Sequence, residues 1–351
     1  MSGFIEFVEA GAGVSIQDLG RVGHRDIGVP LAGAADPVLL ACANALLAQA
    51  EHLAALEVCL LGPTLCAGGA PVRLALAGDF APRLTHGDGS TRPIDPWRSV
   101  TLQPGEVLAV GPCRSGIGYL ALAGGVDVPL VLGSRSTYAR AGLGGLEGRA
   151  PRAGDRLPCS AGQGAPRQAA RPFAHVAGAL RVLPGPQDGH FDEQAWALFV
   201  GGDYFVTREA DRMGLRLQGP TLMHRAGLGA DIVSEAVVPG AVQVPGAGQP
   251  IVLGVDAQTI GGYAKIATVI RADLPRLAHA RPGSVLRFRA VTRTEALAAR
   301  LALSVSLRDW VRCVGPLRAT GEPEVAALHS GNLISGMIDA QPDASDTLPW
   351  D

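Results

Sequence analysis

Val72-Arg73-Leu74-Ala75-Leu76-Ala77, closed by Gly78, and Tyr119-Leu120-Ala121-Leu122-Ala123, closed by Gly124-Gly125, are the stretches on which the reading of this chain turns. Each is short, apolar and stopped by glycine. A helix needs roughly ten residues or more to bury one face, whereas a strand buried inside a sheet needs only such a run. The same form recurs at residues 107–110, 126–132, 242–244, 251–255, 266–270 and 285–288, which are read as strands. The 47 glycines and 26 prolines among 351 residues, without a Gly-X-Y period, supply the turns that many short strands need and argue against a helical bundle.

Helices are few and well signalled. Asp36-Pro37 supplies an N-cap carboxylate and a first-turn proline for a helix over residues 38–50. Others are expected over 192–200, after Asp273, and over 294–311, where Leu297, Leu301, Val305 and Trp310 form a helical stripe. Between Cys159 and Val176 the chain is small, polar and without period, the composition of a linker. The expected organisation is mainly β: an N-terminal β domain over 1–160, a linker over 161–176, a second β domain over 177–290, and a C-terminal helix and tail over 291–351. Gly124-Gly125 and Gly261-Gly262, each followed by a glycine turn into a strand, are compatible with duplication and equally with chance.

Composition narrows the function. With 47% hydrophobic and 18% charged residues the chain can bury enough apolar surface to fold compactly. A net charge of -2, with arginines scattered singly, offers no basic stripe for nucleic acid. The six cysteines form no CxxC pair and the eight histidines no HxH or HxxxH cluster, so no local motif supports a metal site. The N-terminus has no basic segment followed by an apolar one, and the longest apolar stretch is broken by polar residues. No membrane association is expected, and the location expected is cytoplasmic.

No Walker A motif occurs, and the glycine run from Gly142 to Gly148 misses GxGxxG by one position. The chemistry-bearing residues cluster instead in glycine-rich turns. Gln17, Asp18 and Arg21 place amide, carboxylate and guanidinium within one turn, suited to a small polar substrate or to an Asp–Arg pair that holds the loop. Gly133-Ser134-Arg135-Ser136-Thr137 offers amides, hydroxyls and a guanidinium to an anion, or is a hydroxyl-rich turn. Arg212 and Arg216 beside Gly214 suit an anion, or pair with Asp211 and Glu209. The fourth cluster joins Ser234-Glu235, Gln243, Asp256, Thr259 and Gly261-Gly262-Tyr263-Ala264-Lys265 around glycines that let backbone approach a ligand. Lys265 is the single lysine against 29 arginines, a point charge or tunable proton donor, or a codon left by chance.

These motifs, with Gly33-x-x-Asp36, Ala43-Asn44, Leu56-Glu57 and the closing Leu333-Ile334-Ser335-Gly336, resemble the biotin-dependent carboxyltransferase family, also called allophanate hydrolase subunit 2. The match runs in order over roughly residues 5–290. The resemblance implies a cyclophilin-like β-barrel or sandwich fold and a hetero-oligomer with a subunit 1-type homologue, the B component of such assemblies. It also implies one of three roles. The first is the C component of ATP-dependent 5-oxoprolinase, with a LamB/YcsF-like A component, ATP and Mg. The second is half of a urea carboxylase carboxyltransferase, using carboxybiotin carried elsewhere, since no biotin-type lysine hairpin exists in this chain. The third is a regulator that antagonises an inhibitor of a sporulation kinase, as in a Bacillus relative. On this reading the catalytic candidates are Asp18, Arg135, Glu235, Asp256 and Lys265, with substrate contacts from Gln17, Arg21, Ser134, Ser136, Thr137, Arg212, Arg216, Gln243, Thr259, Gly261, Gly262 and Tyr263.

Overall fold

In the computed structural model, which describes residues 3–160 and 164–317, Val72–Ala77 and Gly118–Leu122 run antiparallel, with Leu76 opposite Leu120 and Leu74 opposite Leu122. They are central in a seven-stranded sheet ordered Ala12–Gln17, Ala55–Leu61, Gly118–Leu122, Val72–Ala77, Arg98–Leu102, Arg167–Ala169, Val314–Pro316. A six-stranded sheet, ordered Arg156–Cys159, Gly3–Glu9, Thr64–Gly68, Val107–Ala109, Arg83–Thr85, Thr91–Pro93, packs on one face of it. Leu74, Leu76, Leu120 and Leu122 enter that sandwich beside Ile5, Leu65 and Leu108. Ala75, Ala77, Tyr119 and Ala121 point the other way, where mostly small side chains let helices approach.

Four α-helices lie among the described residues: α1 (Pro37–Ala45), α2 (Glu193–Gly201), α3 (Leu274–Leu277) and α4 (Arg293–Arg312). Helix α1 starts where Asp36 caps the amides of Val38 and Leu39, and it packs with Trp310 of α4 on the alanine face. It stops five residues short of the expected end. There Asn44 donates from its side-chain amide to the carbonyls of Glu51 and Leu53, folding the following chain back instead of continuing the helix. Thr292 and Glu295 form a capping box that opens α4.

The remaining strands form an eight-stranded sheet ordered Val285–Leu286, Tyr204–Val206, Gly214–Gln218, Ile251–Leu253, Ala241–Gln243, Lys265–Val269, Leu180–Pro184, Phe288–Ala290. Its core, including Val182, Val242 and Phe288, is completed by Phe199 of α2. A two-stranded ribbon, Asp231–Ala236 with Ile260–Tyr263, stands beside it. The chain is thus mainly β, and among the described residues no helix is long and apolar enough to cross a membrane.

Three sequence expectations change. Residues 126–132 are not a ladder strand, because Pro129 removes a donor and Leu132 turns to φ +52°; only Val131 bridges to Ser134. The two Gly-Gly pairs are also unlike. Gly124 and Gly125 have φ of +84° and +80°, whereas Gly261 and Gly262 lie in an extended strand. Arg167–Ala169, inside the stretch read as linker, adds a strand to the seven-stranded sheet. The Leu333-Ile334-Ser335-Gly336 motif and the acidic tail lie outside the described residues.

Replacing Leu120, fully buried between the two sheets, by Ala is expected to cost about 2–5 kcal/mol of unfolding free energy in urea titration. Leu301→Ala, on the 65%-exposed side of α4, is expected to change it by less than about 0.5 kcal/mol.

Candidate functional site

A cavity of about 510 Å³ opens where the sandwich meets the eight-stranded sheet, walled by Val14, Leu60 and Ile117 on one side and Leu253, Leu274 and Leu277 on the other. Its polar centre is Glu57, Arg212 and Asp256. Glu57 is fully buried on Ala55–Leu61. It accepts hydrogen bonds from Tyr119 Oη at 2.5 Å, from the Ala35 amide at 2.8 Å and from Arg212 Nη1. Arg212 Nε and Nη2 both donate to Asp256 at 2.9 Å, and Nη2 also donates to the Gly33 carbonyl at 2.7 Å. Four of the five guanidinium N–H groups are so used. Burial acts to lower the Arg212 pKa, but the charges of Glu57 and Asp256 outweigh it and hold the guanidinium above its ordinary range. Burial and then Glu57 push the Tyr119 phenol well up, and the same two causes push the Cys59 thiol up to about 12, so neither ionises near neutrality.

Behind this wall stands Asp18. Its Oδ1 accepts from Ser134 Oγ and Ser136 Oγ at 2.6 Å and from the Gly20 amide at 2.8 Å, and its Oδ2 accepts from the Arg135 amide at 2.6 Å. Burial raises the Asp18 pKa, yet these four donors together bring it below the usual carboxylate value. Gln17 donates to Ser15 Oγ and the Thr137 carbonyl, and buried Arg21 donates to the Ser136 carbonyl. The glycine run from Gly142 to Gly148 fits against these residues. A Cβ at Gly144 would overlap the Ser136 carbonyl oxygen and Arg21 Nη2, and one at Gly145 would overlap Thr137 Oγ1. Close packing accounts for glycine at positions 144 and 145. The Arg135 guanidinium points to the Val128 carbonyl and Asp127, so only its backbone amide serves Asp18.

A third group sits under the ribbon. Lys265 is buried, with Nζ 3.0 Å from Glu235 Oε1 and 3.4 Å from the Tyr263 carbonyl. Gln187 donates to the same Glu235 oxygen at 2.7 Å. The Gln187 bond and then Lys265 lower the Glu235 pKa. Gly261 leaves room for the Gln243 amide, since a Cβ there would lie 2.6 Å from Gln243 Nε2. Gly262 and Tyr263 complete this strand, and Thr259 is buried beside it with its carbonyl accepting from Val237.

The sequence candidates therefore fall into three groups: Gln17, Asp18, Arg21, Ser134, Arg135, Ser136 and Thr137; Arg212 and Asp256; and Glu235, Gln243, Thr259, Gly261, Gly262, Tyr263 and Lys265. Arg216 joins none of them and pairs with exposed Glu209 at 3.2 Å. Glu57 and Tyr119 were not among the candidates. The signal available for Glu57 was a carboxylate inside the apolar run Ala54-Ala55-Leu56-Glu57-Val58. Among the described residues, Asp36, His175 and His279 form the one trio of metal-ligating types. Asp36 Oδ1 already accepts from two α1 amides and Oδ2 from both imidazoles, so its lone pairs are engaged within the protein rather than offered to a cation.

A sandwich and a second sheet sharing a polar cavity define the chain as a two-part β protein with a site between its parts. It belongs to the carboxyltransferase-domain family, subdomain A and B, whose family model matches residues 27–290. The chain is 35% identical over 309 residues to the C subunit of 5-oxoprolinase from Haemophilus influenzae, covering 88% of this chain and 97% of that one. It is 37% identical over 304 residues to the C subunit of 5-oxoprolinase from Escherichia coli, covering 84% and 94%. A putative urea carboxylase of Emericella nidulans is 28% identical over 365 residues, 97% of this chain but 29% of that protein. The crystal structure of Kluyveromyces lactis urea amidolyase superposes with a TM-score of 0.77 at 26% identity, over 88% of this chain and 20% of that one.

Two consequences are measurable. Arg212→Met leaves Glu57 and Asp256 facing each other without a cation and is expected to cost about 3–5 kcal/mol of stability, partly recovered by adding Glu57→Gln, as read by urea unfolding. Asp18 contributes stability that is present above its unfolded pKa and lost as pH falls through its lowered folded value. Asp18→Asn is therefore expected to flatten the acid limb of the stability curve below about pH 4.

Proposed function

We propose that this chain is one component of an ATP-dependent 5-oxoprolinase, which opens 5-oxo-L-proline to L-glutamate as a cytoplasmic assembly with a subunit 1-type homologue and a LamB/YcsF-like component. The observation that carries this reading is correspondence along nearly the whole length of two 5-oxoprolinase C subunits, against less than a third of the urea carboxylase and urea amidolyase chains.

The cavity suits a small ring, having apolar walls and one polar end. At that end Asp256, paired with Arg212, is the acceptor for the ring N–H or for the water that opens the ring, and Arg212 fixes its orientation through two bonds. Three carboxylates (Glu57, Asp211, Asp256) against two guanidiniums (Arg212, Arg281) in the lining do not favour a triphosphate, so on this reading ATP with Mg belongs to another part of the assembly. ATP supplies activation of the lactam carbonyl by phosphorylation; this chain binds and orients the ring and limits water around it.

The test is 5-oxoproline-dependent ADP release by the reconstituted assembly. Asp256→Asn is expected to lower kcat by about a hundredfold or more, whereas Arg135→Ala, whose side chain serves only its own loop, is expected to change it by less than about threefold. No 5-oxoproline-dependent turnover with every partner present, or carboxylation of an acceptor from carboxybiotin instead, overturns the reading. Full activity of Asp256→Asn overturns the role given to this cavity.

A further inference from the structure

His279 follows α3 in the second half of the chain, and both its ring nitrogens reach residues of the first half. Nδ1 lies 2.7 Å from the Ser115 carbonyl oxygen and Nε2 lies 2.9 Å from Asp36 Oδ2. Each facing atom is an acceptor. A carbonyl has no proton to give, and the Asp36 carboxylate already accepts from the Val38 and Leu39 amides and from His175 Nε2 at 2.7 Å. A neutral imidazole has one N–H, so one of the two contacts would set lone pair against lone pair. Only the imidazolium satisfies both.

We propose that His279 is a proton-held latch: charged, it pins the chain after α3 onto the sandwich along one wall of the cavity, and loss of its proton releases that wall. The geometry around it is tight. Gly116 has φ +97°, and a Cβ there would lie 2.7 Å from His279 Cα, so the two backbones touch where the latch closes. Gly116, Ile117, Ala278 and Arg281 all line the cavity, which makes this contact part of its rim. Asp36 is fully buried, so the imidazolium is not in competition with bulk solvent for it while the contact is closed.

The charged and titratable groups facing the latch are few. Asp36 comes from the start of α1, His175 from the stretch before Leu180–Pro184, and Arg281 lies two residues on with its guanidinium on the Cys113 carbonyl. Tyr119 and Cys42 lie near Asp36, and both are pushed up by burial first and nearby carboxylates next. For His279 itself, burial pulls the pKa down and Arg281 opposes protonation. The Asp36 bond and charge and the Ser115 carbonyl prevail, and the net shift is upward from 6.5. Asp36 shifts downward despite its burial, through the two imidazoles. A raised histidine contributes stability that is complete below its unfolded pKa and is lost as pH rises through its folded value. The latch is therefore closed in mild acid and opens on the alkaline side.

Histidine NMR titration of the full chain reads this directly. The midpoint of His279 is expected above 6.5 in the wild type and at or below 6.5 in Asp36→Asn. Amide exchange of residues 113–119 and 274–282, corrected for its intrinsic pH dependence, is expected to accelerate between pH 6 and pH 9 by about tenfold for each unit by which the pKa is raised. His279→Gln, which keeps a donor for Asp36 and does not titrate, is expected to lose that extra dependence. A wild-type midpoint at or below 6.5, unchanged pH dependence in His279→Gln, or a stoichiometric divalent metal found by elemental analysis would each overturn the proposal. Should His279→Gln not fold, the wild-type titration decides alone. None of these readouts involves catalysis, so they stand whether or not the chain serves 5-oxoproline.

Discussion

Glu57 sets the constraint on which the arrangement of the two halves depends. It sits with no solvent exposure in a strand whose neighbours, Leu56 and Val58, belong to the sandwich core. An ionised carboxylate there is expensive unless it is bonded and neutralised. The first half supplies donors, Tyr119, the Ala35 amide and, weakly, the Cys59 thiol, but no cation. The cation is Arg212, which comes from the other half, 155 residues away in sequence. Parting the halves would leave Glu57 buried without its countercharge, so the contact between them is required by electrostatics as much as by apolar packing. Asp256 then balances the remaining charge of the guanidinium and fixes its plane, and the cavity inherits a polar end of defined orientation.

That position for Glu57 rests in turn on the alternation in the two central strands. Leucines at 74, 76, 120 and 122 fill the space between the sheets, and alanines at 75, 77 and 121 leave the opposite face shallow enough for α1. Tyr119 is the exception on the alanine face, and its hydroxyl links the two features by donating to Glu57 while accepting from the Asp36 amide at the start of α1. The N-cap of α1, the central strand and the polar centre are thus one hydrogen-bonded path. Asp36 extends it to His279 and the second half, so two of the contacts that tie the halves, Glu57 with Arg212 and Asp36 with His279, lie on this one path.

Much of this was legible in the sequence because it is local. Glycine-bounded apolar runs marked strands, and Asp36-Pro37 and Asp192 marked the helix starts that the structure shows. The motifs of the family pointed to the residues that gather around Asp18 and around Lys265. What could not be read was which distant side chains meet. Nothing in Leu56-Glu57 announces Arg212, and His175 and His279, two histidines with no local motif around them, converge on one carboxylate only because 175 and 279 are folded onto the same helix cap. The misread strand at 126–132 has a local cause that hydropathy conceals: one proline and one left-handed leucine break a run whose composition is otherwise that of a strand.

The degree of saturation separates motif residues that build the site from those able to act in it. Asp18 accepts four hydrogen bonds from its own loop partners and lies behind the cavity wall, so little of its carboxylate is left for a ligand. Its work is to fold Ser134, Arg135 and Ser136 into the turn that carries Thr137 to the cavity lining. Asp256 differs in kind. Its bonds come from a single guanidinium, along one edge of the carboxylate, and its residue lines the cavity. A carboxylate held by one face and open on the other can accept a proton donor from a substrate without giving up the bond that orients it. For that reason the proposed reading gives the chemistry to the pair that spans the halves, and takes the Gln-Asp-x-Gly-Arg and Gly-Ser-Arg-Ser-Thr motifs as the frame that holds the first half in place to receive it.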